Sequence, residues 1–277
     1  MKDKESGLVS IIVPVYRAAA YIADTIAMVF SQTYGRWELL LVDDCSGDGT
    51  VEAIEKTLSA YEHHPVKAAF ENTGHIVEYL CGEGKKVFLI CKNKNEGAAA
   101  ARNTGMDAAG GQYIAFLDAD DIWVSDKLEK QLSFMEEKGA GFVFSAYEFG
   151  DEWARPTGRV VHVPETLTYQ KALSRTVIFT TTVVLDRNGI PDKLMRMPEV
   201  ESEDTATWWQ ILREGYTACG LDEVLAVYRR PANSLSSNKL KAVKRIWNLY
   251  RRQERLSMLS SVYYFVFWAY RATMRRI

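Results

Sequence analysis

Strand-like and helix-like segments alternate along the first half of this chain, and this alternation limits the folds that it can adopt. The strand-like segments are short, apolar and rich in β-branched residues, whereas the segments between them repeat their apolar residues at helical spacing. We predict strands at residues 8–16, 37–42, 87–91 and 113–117, and helices at 18–32, 50–58 and 97–109. Such alternation indicates an α/β fold, in which helices flank a mainly parallel sheet and ligands bind beyond the carboxyl ends of the strands.

Two parts of the chain depart from that alternation. Residues 64–86 exceed the connection of about 2–6 residues expected between a helix and the next strand. Their apolar residues keep helical spacing, so we predict an extra helix there. After Gly139 the pattern is mixed, with strands predicted at 142–149, 159–163 and 180–185 and helices at 169–174 and 203–213. We therefore expect one domain at 1–238, with a first half at 1–122 and a smaller, partly antiparallel half at 123–238.

The C-terminal segment 239–277 is basic, aromatic and free of proline and glycine. It holds ten of the 34 Lys and Arg residues but only one of the 36 acidic residues. We predict that this tail is helical throughout. Its apolar run at 258–270 is shorter than the ~20 residues that cross a bilayer, and arginines flank it, which favours a helix lying in a membrane interface. The alternative is that its aromatic side chains pack on the domain or on a second copy of the chain in a homodimer.

Cysteine usage and the N-terminus indicate the cytoplasm. The four cysteines show no C-x-x-C spacing, so we interpret them as reduced thiols. The charged start MKDKE does not resemble a signal peptide. The strand at 8–16 is not followed by G-x-G-x-x-G, and no Walker sequence occurs, which excludes two common nucleotide-binding classes. We expect no nucleic-acid partner.

Three carboxylates follow the predicted strand at 113–117, namely Asp118, Asp120 and Asp121. Acidic residues are costly inside a buried strand, so they should lie at its end and face a cleft. Two carboxylates at i and i+2 can share a hard divalent cation, which prefers oxygen ligands and is useful where a diphosphate is held or expelled. The alternative is that these acids cap the next helix or are simply solvated.

Several motifs, taken together, resemble those of family 2 glycosyltransferases of the GT-A fold. They are VSIIVPVY at 9–16, SQTY at 31–34, WELLLVDDCSGDGT at 37–50, NEGAAAARNTG at 95–105, FLDADD at 116–121, ED at 203–204 and VYRRPANSLS at 227–236. The match covers about residues 8–238, and its later part is most similar to the teichuronic-acid type of bacterial wall-polysaccharide enzyme. The segment 64–86 departs from the family's usual short link. The resemblance implies a Rossmann-like nucleotide-binding half at 1–122 and an acceptor half at 123–238.

The resemblance also implies a nucleotide-sugar donor. Pro14 and Tyr16 would contact the nucleoside, and Asp44 would accept a hydrogen bond from the imide N–H of uracil. Cytosine has no such N–H, and an ionised carboxylate only accepts, so we expect a uridine (or thymidine) diphosphate sugar. The alternative for Asp43 and Asp44 is a turn acid that bonds to its own backbone at 46–49, and for Asp43 we favour that alternative.

Further roles follow from the same resemblance. Asp118 and Asp120 would hold Mn²⁺ or Mg²⁺ against the donor diphosphate, while Asp121 would be a neighbouring structural acid. Arg102 would either reach the nucleotide or pair with an acid of the cleft, and Gly97 would let the backbone approach the ligand closely.

The resemblance makes Asp204 the catalytic base. It would take the proton of an acceptor hydroxyl in a single displacement with inversion, and Glu203 would support it. The alternative is a first-turn acid favoured by the helix dipole. Arg229 or Arg230 would neutralise the departing diphosphate, and the other would be a surface charge. The Q-x-x-R-W sequence of processive relatives is absent, so we expect one sugar per acceptor.

The function expected from this reading is transfer of a sugar from a UDP-sugar to a saccharide acceptor that is linked to a lipid. The protein would sit peripherally on the inner face of a bacterial plasma membrane, attached through its C-terminal helix. Alternatives are a soluble or protein acceptor and a non-catalytic scaffold. A nucleotidyltransferase would need a glycine-rich basic loop after the first strand, and this chain has none there.

Overall fold

A computed structural model describes residues 4–67, 70–230 and 239–274. Its strands are β1 (Glu5–Val15), β2 (Trp37–Asp43), β3 (Glu62–Pro65), β4 (Thr73–Leu80), β5 (Lys86–Lys92), β6 (Gly111–Phe116), β7 (Ile122–Trp123), β8 (Phe142–Gly150), β9 (Pro156–Val161), β10 (Thr166–Leu167), β11 (Val184–Asp186) and β12 (Ala218–Arg229). The helices are α1 (Ile22–Phe30), α2 (Thr50–Leu58), α3 (Ala98–Ala108), α4 (Lys127–Lys138), α5 (Tyr169–Leu173), α6 (Asp192–Met195), α7 (Glu203–Arg213), α8 (Lys239–Asn248) and α9 (Met258–Met274).

One mixed sheet runs through both halves of the chain. Its order is β10-β12-β8-β11-β6-β1-β2-β5-β4-β3, with β7 paired to β12 and β9 paired to β8. The segment β6-β1-β2-β5 is parallel, and β2 is buried along its whole length because helices cover the sheet. The predicted α/β architecture, with a mainly parallel first half and a mixed second half, is therefore confirmed.

Helix α3 lies unusually close to the parallel strands, and Gly105 permits this. A Cβ atom at Gly105 would stand 2.5 Å from the side chain of Ile12 on β1. The close approach matters for the site because α3 starts at the carboxyl ends of β1 and β2 and carries Arg102 on its buried side.

The helix predicted within 64–86 is wrong. The structure has β3 and β4 there, two antiparallel strands that extend the sheet beyond β5. The predicted stripe arose because Val77 and Leu80 fall at helical spacing, yet Ile76 and Tyr79 are the residues that the strand buries. Pairing with β5 outweighs a weak helical pattern that already contains Gly74.

Two smaller predictions also need correction. The segment predicted as a strand at 180–185 is a 3₁₀ turn at Thr180–Thr182 followed by the short strand β11. The tail is not helical throughout, because α8 passes into a π-helical segment, Leu249–Gln253, and the chain then breaks before α9. Arg255 adopts a left-handed φ of 51° at this break, and the Ser257 hydroxyl accepts the Ser260 N–H (3.1 Å) as α9 begins.

The first part of the tail packs firmly on the domain. Tyr250 is fully buried and stacks on Trp209 of α7, with ring centroids 5.4 Å apart. Within residues 4–67, 70–230 and 239–274, no helix combines the length and apolar content needed to cross a bilayer.

Candidate active site

A cleft of about 490 Å³ opens beyond the carboxyl ends of β1, β2 and β6. This is the edge at which open parallel sheets bind ligands. Among the residues that line the cleft are seven that were predicted from the sequence: Pro14, Tyr16, Asp44, Gly97, Arg102, Asp118 and Asp120. The cleft also contains Tyr21, which the sequence did not single out. Residues that are far apart in the chain thus meet in one cavity, as the strand-end argument predicts.

Asp44 is buried where β2 ends and binds the loop that precedes α3. The Glu96 N–H donates to both carboxylate oxygens (3.0 and 3.1 Å), and the Gly97 N–H donates to Oδ2 (2.6 Å). Lys92 forms an ion pair with Asp44 (3.2 Å). Gly97 has a φ of +87°, a conformation that favours glycine. A carboxylate offers about four acceptor positions, so the two backbone N–H groups and Lys92 together leave about one position open on Asp44.

Asp43, its neighbour, behaves as a turn acid. Its Oδ2 accepts the Ser46 N–H at 3.0 Å, and the side chain is buried. The expectation that Asp43 bonds to its own turn while Asp44 faces the cleft agrees with this geometry.

Arg102 links the acidic loop after β6 to the start of α7. Its Nη2 donates to Asp118 Oδ1 (2.6 Å) and its Nη1 donates to Glu203 Oε1 (3.0 Å). Of the two roles considered for Arg102, the structure therefore shows pairing with acids. Burial lowers the Arg102 pKa, but the charges of Asp118, Glu203 and Asp204 raise it by more. Burial and the nearby Asp204 raise the Glu203 pKa, and Arg102 opposes this.

The acidic loop after β6 concentrates negative charge. Burial and the charge of Asp118 raise the Asp120 pKa. Asp121 is buried, accepts the Thr181 hydroxyl (2.6 Å) and the Arg229 N–H (3.2 Å), and has a pKa well above its ordinary value because of burial and the two neighbouring acids. Asp121 thus anchors the loop, while Asp118 and Asp120 face the cleft.

The two carboxylates of this loop that face the cleft suit a divalent cation, but they supply only part of its ligands. No cluster of three or more His, Cys, Asp or Glu residues with metal-binding geometry occurs in the part of the chain that the structure describes. Asp118 and Asp120 supply two carboxylates that repel each other, which a cation between them would relieve. The remaining ligands of such a cation would have to come from the donor diphosphate and water.

Asp204 lies in the first turn of α7. Its Oδ2 accepts the Thr180 hydroxyl (3.1 Å), and its Oδ1 accepts the Thr205 N–H (2.6 Å). It does not line the donor cleft itself. The ion pair between Arg102 and Glu203, the neighbour of Asp204, holds the start of α7 beside the cleft.

The two candidate arginines have different surroundings. The Arg229 guanidinium donates to the carbonyl oxygens of Asp120 (2.7 Å) and Glu152 (3.1 Å) and lies 4.5 Å from the centre of the Tyr21 ring. Arg230 instead lies 5.0 Å from the centre of the Phe149 ring. Arg229 is thus the one that touches the acidic loop. The rest of that motif, residues 231–238, lies outside the described residues.

Comparison with known proteins agrees with this architecture. The family model described as "Glycosyl transferase family 2" matches residues 10–68 and 70–187. This chain belongs to glycosyl transferase family 2. The family 2 chain is 41% identical over 98% of both chains to the putative teichuronic acid biosynthesis glycosyltransferase TuaG of Bacillus subtilis. It is 36% identical, over 87% of its own length and 85% of the relative's, to the Escherichia coli UDP-Glc:alpha-D-GlcNAc-diphosphoundecaprenol beta-1,3-glucosyltransferase WfgD.

Solved structures of other glycosyltransferases share the fold. The mannosyltransferase PcManGT of Pyrobaculum calidifontis, in complex with GDP-Man and Mn²⁺, has a TM-score of 0.68 at 20% identity, over 93% of this chain and 69% of that one. S. aureus TarS in complex with UDP-GlcNAc has a TM-score of 0.65 at 16% identity, over 94% and 71%. The family 2 protein described here is therefore a glycosyltransferase with the GT-A fold, as its motifs predict.

Three residues of this glycosyltransferase's site were not found from the sequence. Lys92 pairs with Asp44, Thr181 bonds both Asp121 and the backbone N–H of Asp118 (3.2 Å), and Tyr21 underlies Arg229. Each acts through contacts with residues distant in the chain. Only Lys92 could have been noticed in the sequence, because it is a lysine at the end of a buried strand.

Proposed function

We propose that this glycosyltransferase moves one sugar from a UDP-sugar to a hydroxyl group of a lipid-linked saccharide, with inversion and with the help of Mn²⁺ or Mg²⁺. The observation that carries the proposal is the chain of contacts from Asp118 through Arg102 to Glu203, beside Asp204. These contacts hold the donor cleft and the helix that carries the candidate base in one arrangement.

The donor proposal rests on the nucleoside end of the cleft. Pro14 and Tyr16 line the cleft, and about half of Tyr16 is exposed, with the Arg17 guanidinium 5.2 Å from its ring centre, so a base would stack on the other face of the ring. Asp44 already accepts hydrogen bonds from two backbone N–H groups, so its oxygens are suited to accept the imide N–H of uracil as well. Guanine also offers a ring N–H donor, and the neighbour PcManGT was solved with GDP-Man, so GDP is the competitor that a test must include.

The diphosphate end would hold the metal. Asp118 and Asp120 would bind it, and Asp120 is the better direct ligand because Arg102 already engages Asp118 Oδ1. When bound, the ion would stabilise negative charge on the departing diphosphate. Arg229 keeps the Asp120 backbone in place through the carbonyl contact, so its first role in this proposal is to position the acidic loop.

The chemical step would be a single displacement. The acceptor oxygen forms a bond to the anomeric carbon, the bond from that carbon to the diphosphate oxygen breaks, and the hydroxyl proton passes to a carboxylate oxygen of Asp204. Thr180 and the Thr205 N–H hold the Asp204 carboxylate in one orientation. Because the base and the leaving group stand on opposite sides of the anomeric carbon, the product has inverted configuration.

The acceptor and the cellular location follow from relatives and from the tail. The relative WfgD acts on a saccharide carried by diphosphoundecaprenol, and TuaG takes part in teichuronic acid biosynthesis. We extend a lipid-linked acceptor and a role in cell-surface polysaccharide synthesis to this chain. The tail would hold the enzyme on the inner face of the plasma membrane, while a homodimer contact through the same aromatic side chains is the alternative.

Calorimetric titration tests the donor proposal. We expect UDP to bind with Mn²⁺ present, to bind more weakly without it, and to bind better than CDP or GDP. The variant Asp120→Asn should lose the effect of Mn²⁺ but keep the preference for UDP, whereas Asp44→Asn should lose that preference. Tighter binding of GDP than of UDP would overturn the donor assignment.

A further inference from the structure

Helix α9 has two apolar faces, and the domain uses only one of them. Ser261 is fully buried, Tyr264 and Phe265 pack against the core, and Trp268 Nε1 donates to the Thr176 hydroxyl (3.0 Å). The opposite face carries an exposed row at helical spacing, which we call the outer stripe: Leu259, Val262, Tyr263, Val266 and Tyr270. Leu259 is 84% exposed and Tyr270 is 64% exposed, so none of the residues that the structure describes covers this row.

A cavity of about 450 Å³ lies beside the outer stripe, between α9 and α5. Tyr263 belongs both to the stripe and to the cavity wall, so the apolar row leads directly to the cavity mouth. Lys171, Arg175 and Arg271 supply three positive charges to the lining. None of the described residues that line it is acidic. The cavity lining therefore combines positive charges with apolar side chains, and it meets the outer stripe at Tyr263.

One of these cations is held in place. Arg271 Nη1 donates to the Ser174 carbonyl oxygen (3.1 Å) and also to the Ser174 hydroxyl, and its guanidinium lies 6.0 Å from the centre of the Phe267 ring. A guanidinium fixed in this way has already lost its conformational freedom, so it can bind an anion at a lower entropic cost.

We propose that this cavity binds the phosphate of an anionic phospholipid headgroup, with the acyl chains of the lipid lying along the outer stripe of α9. The occupant has to be negative at one end and apolar at the other, because the lining that carries the three cations shares Tyr263 with the exposed stripe. A phosphodiester joined to acyl chains has that form, whereas a second protein copy would have to bring acidic and apolar groups in the same register. The inference rests on the proposed membrane location and adds lipid selectivity to it.

Sedimentation of the full-length protein with vesicles tests the proposal, using phosphatidylcholine vesicles with and without phosphatidylglycerol. The variant K171Q/R271Q removes two cavity charges, and the matched control K244Q/R252Q removes two exposed charges of the tail outside the cavity. Each positive charge that is removed weakens the general attraction to an anionic surface and lowers the affinity roughly fivefold. This general effect is the same for both double variants. We expect K171Q/R271Q to lose at least tenfold more affinity for the anionic vesicles than the control, with equal binding of both to pure phosphatidylcholine.

Equal losses in the two double variants would overturn the headgroup site. Because Arg271 also holds α9 on the domain, K171Q compared with K244Q repeats the test without disturbing that contact, and the same ordering is expected.

Titration with inorganic phosphate should show no binding. Phosphate binding that K171Q/R271Q abolishes, with vesicle binding unchanged, would assign the cavity to a soluble anion. The variant V262N/V266N should no longer bind either kind of vesicle. If the unaltered protein binds neither kind, the membrane location itself is wrong, which separates that failure from failure of the headgroup site.

Discussion

At the scale of single residues, the site depends on carboxylates whose surroundings differ sharply. Asp44 and Asp121 are buried and already engaged by backbone N–H groups, so they hold loops in place. Asp120 faces the cleft close to a like charge, and the Asp204 carboxylate lies outside the cleft lining, held by two orienting contacts. The same residue type thus performs anchoring, candidate metal binding and candidate proton transfer.

Asp204→Asn should separate binding from transfer. The amide keeps the shape of the side chain but cannot take a proton, and a positioned general base contributes about 10²–10⁴-fold to a rate. We expect kcat to fall within that range while the UDP affinity changes less than twofold. The exposed neighbour Glu201 provides the control, because Glu201→Gln removes a charge beside α7 without touching Asp204. An active Asp204→Asn variant would remove this residue from the mechanism.

Arg102→Lys tests the link between the halves of the site. A lysine keeps the positive charge but cannot span Asp118 and Glu203 with two separate donors. We expect a loss of about 1–3 kcal/mol in unfolding free energy and a weaker effect of Mn²⁺ on UDP binding, both measurable by urea denaturation and calorimetry. Arg196→Lys alters a surface pair with Asp107 and should change neither property. If Arg102→Lys behaves like Arg196→Lys, the bridge has no role in the site.

Lys127 gives the stability of the protein a pH dependence. It is fully buried beside the Trp123 ring, and burial lowers its pKa well below 10.5. Between its lowered pKa in the folded protein and the ordinary value of 10.5, the unfolded chain therefore binds more protons than the folded chain, so the unfolding free energy rises with pH in that window. We expect Lys127→Met to reduce this slope when urea denaturation is measured from neutral pH upwards. The exposed Lys56, substituted in the same way, should leave the slope as it is; equal slopes in all three proteins would refute the explanation.

At the scale of elements, the sequence predicted what local pattern determines and missed what distant partners determine. The predicted helix at 203–213 matches α7 at both ends, and the buried strands β1, β2, β5 and β6 lie where apolar β-branched runs indicate them. The helix predicted for segment 64–86 was wrong because pairing with β5 decides the structure of that segment. The strand-end rule placed the acids in one cleft, but no local pattern links Arg102 to Glu203, which lies 101 residues further along the chain.

Tyr250→Ala should detach the tail from the domain. Tyr250 stacks on Trp209 and its hydroxyl donates to the Leu173 carbonyl oxygen, so truncation leaves a cavity beneath the π-helical segment. Loss of a large buried aromatic residue costs about 3–5 kcal/mol, and we expect a fall in unfolding free energy of that size together with faster proteolysis within the tail. Tyr270→Ala, on the outer stripe, should cost less than about 0.5 kcal/mol. Equal effects of the two substitutions would show that the tail does not depend on this contact.

At the scale of the whole molecule, charge and apolar surface are unevenly distributed. The domain carries the excess of acidic residues and the tail carries the excess of basic ones. The outer stripe of α9 lies within that basic tail. A negatively charged membrane surface would thus attract the tail and repel the domain, which would orient the molecule as well as attach it.

Deleting residues 258–277 should uncouple membrane attachment from chemistry. The deletion spares Tyr250 and the donor cleft, so UDP binding and transfer to a water-soluble acceptor should be retained. Transfer to a lipid-linked acceptor in vesicles should fall at least tenfold, because the enzyme no longer concentrates at the surface. The two activities are compared by product chromatography. A parallel loss of both would mean that α9 serves the fold rather than the membrane.

The two strands that replace the predicted helix have a consequence for solubility. Without them, β5 would be the last strand of the sheet and would offer the backbone of its run VFLIC to other molecules. Instead the sheet ends in β3, a short strand whose four residues, Glu62, two histidines and Pro65, are all exposed. Proline lacks a backbone N–H and charged side chains disfavour further pairing. The added strands therefore act as a terminator that guards this end of the sheet against edge-to-edge aggregation.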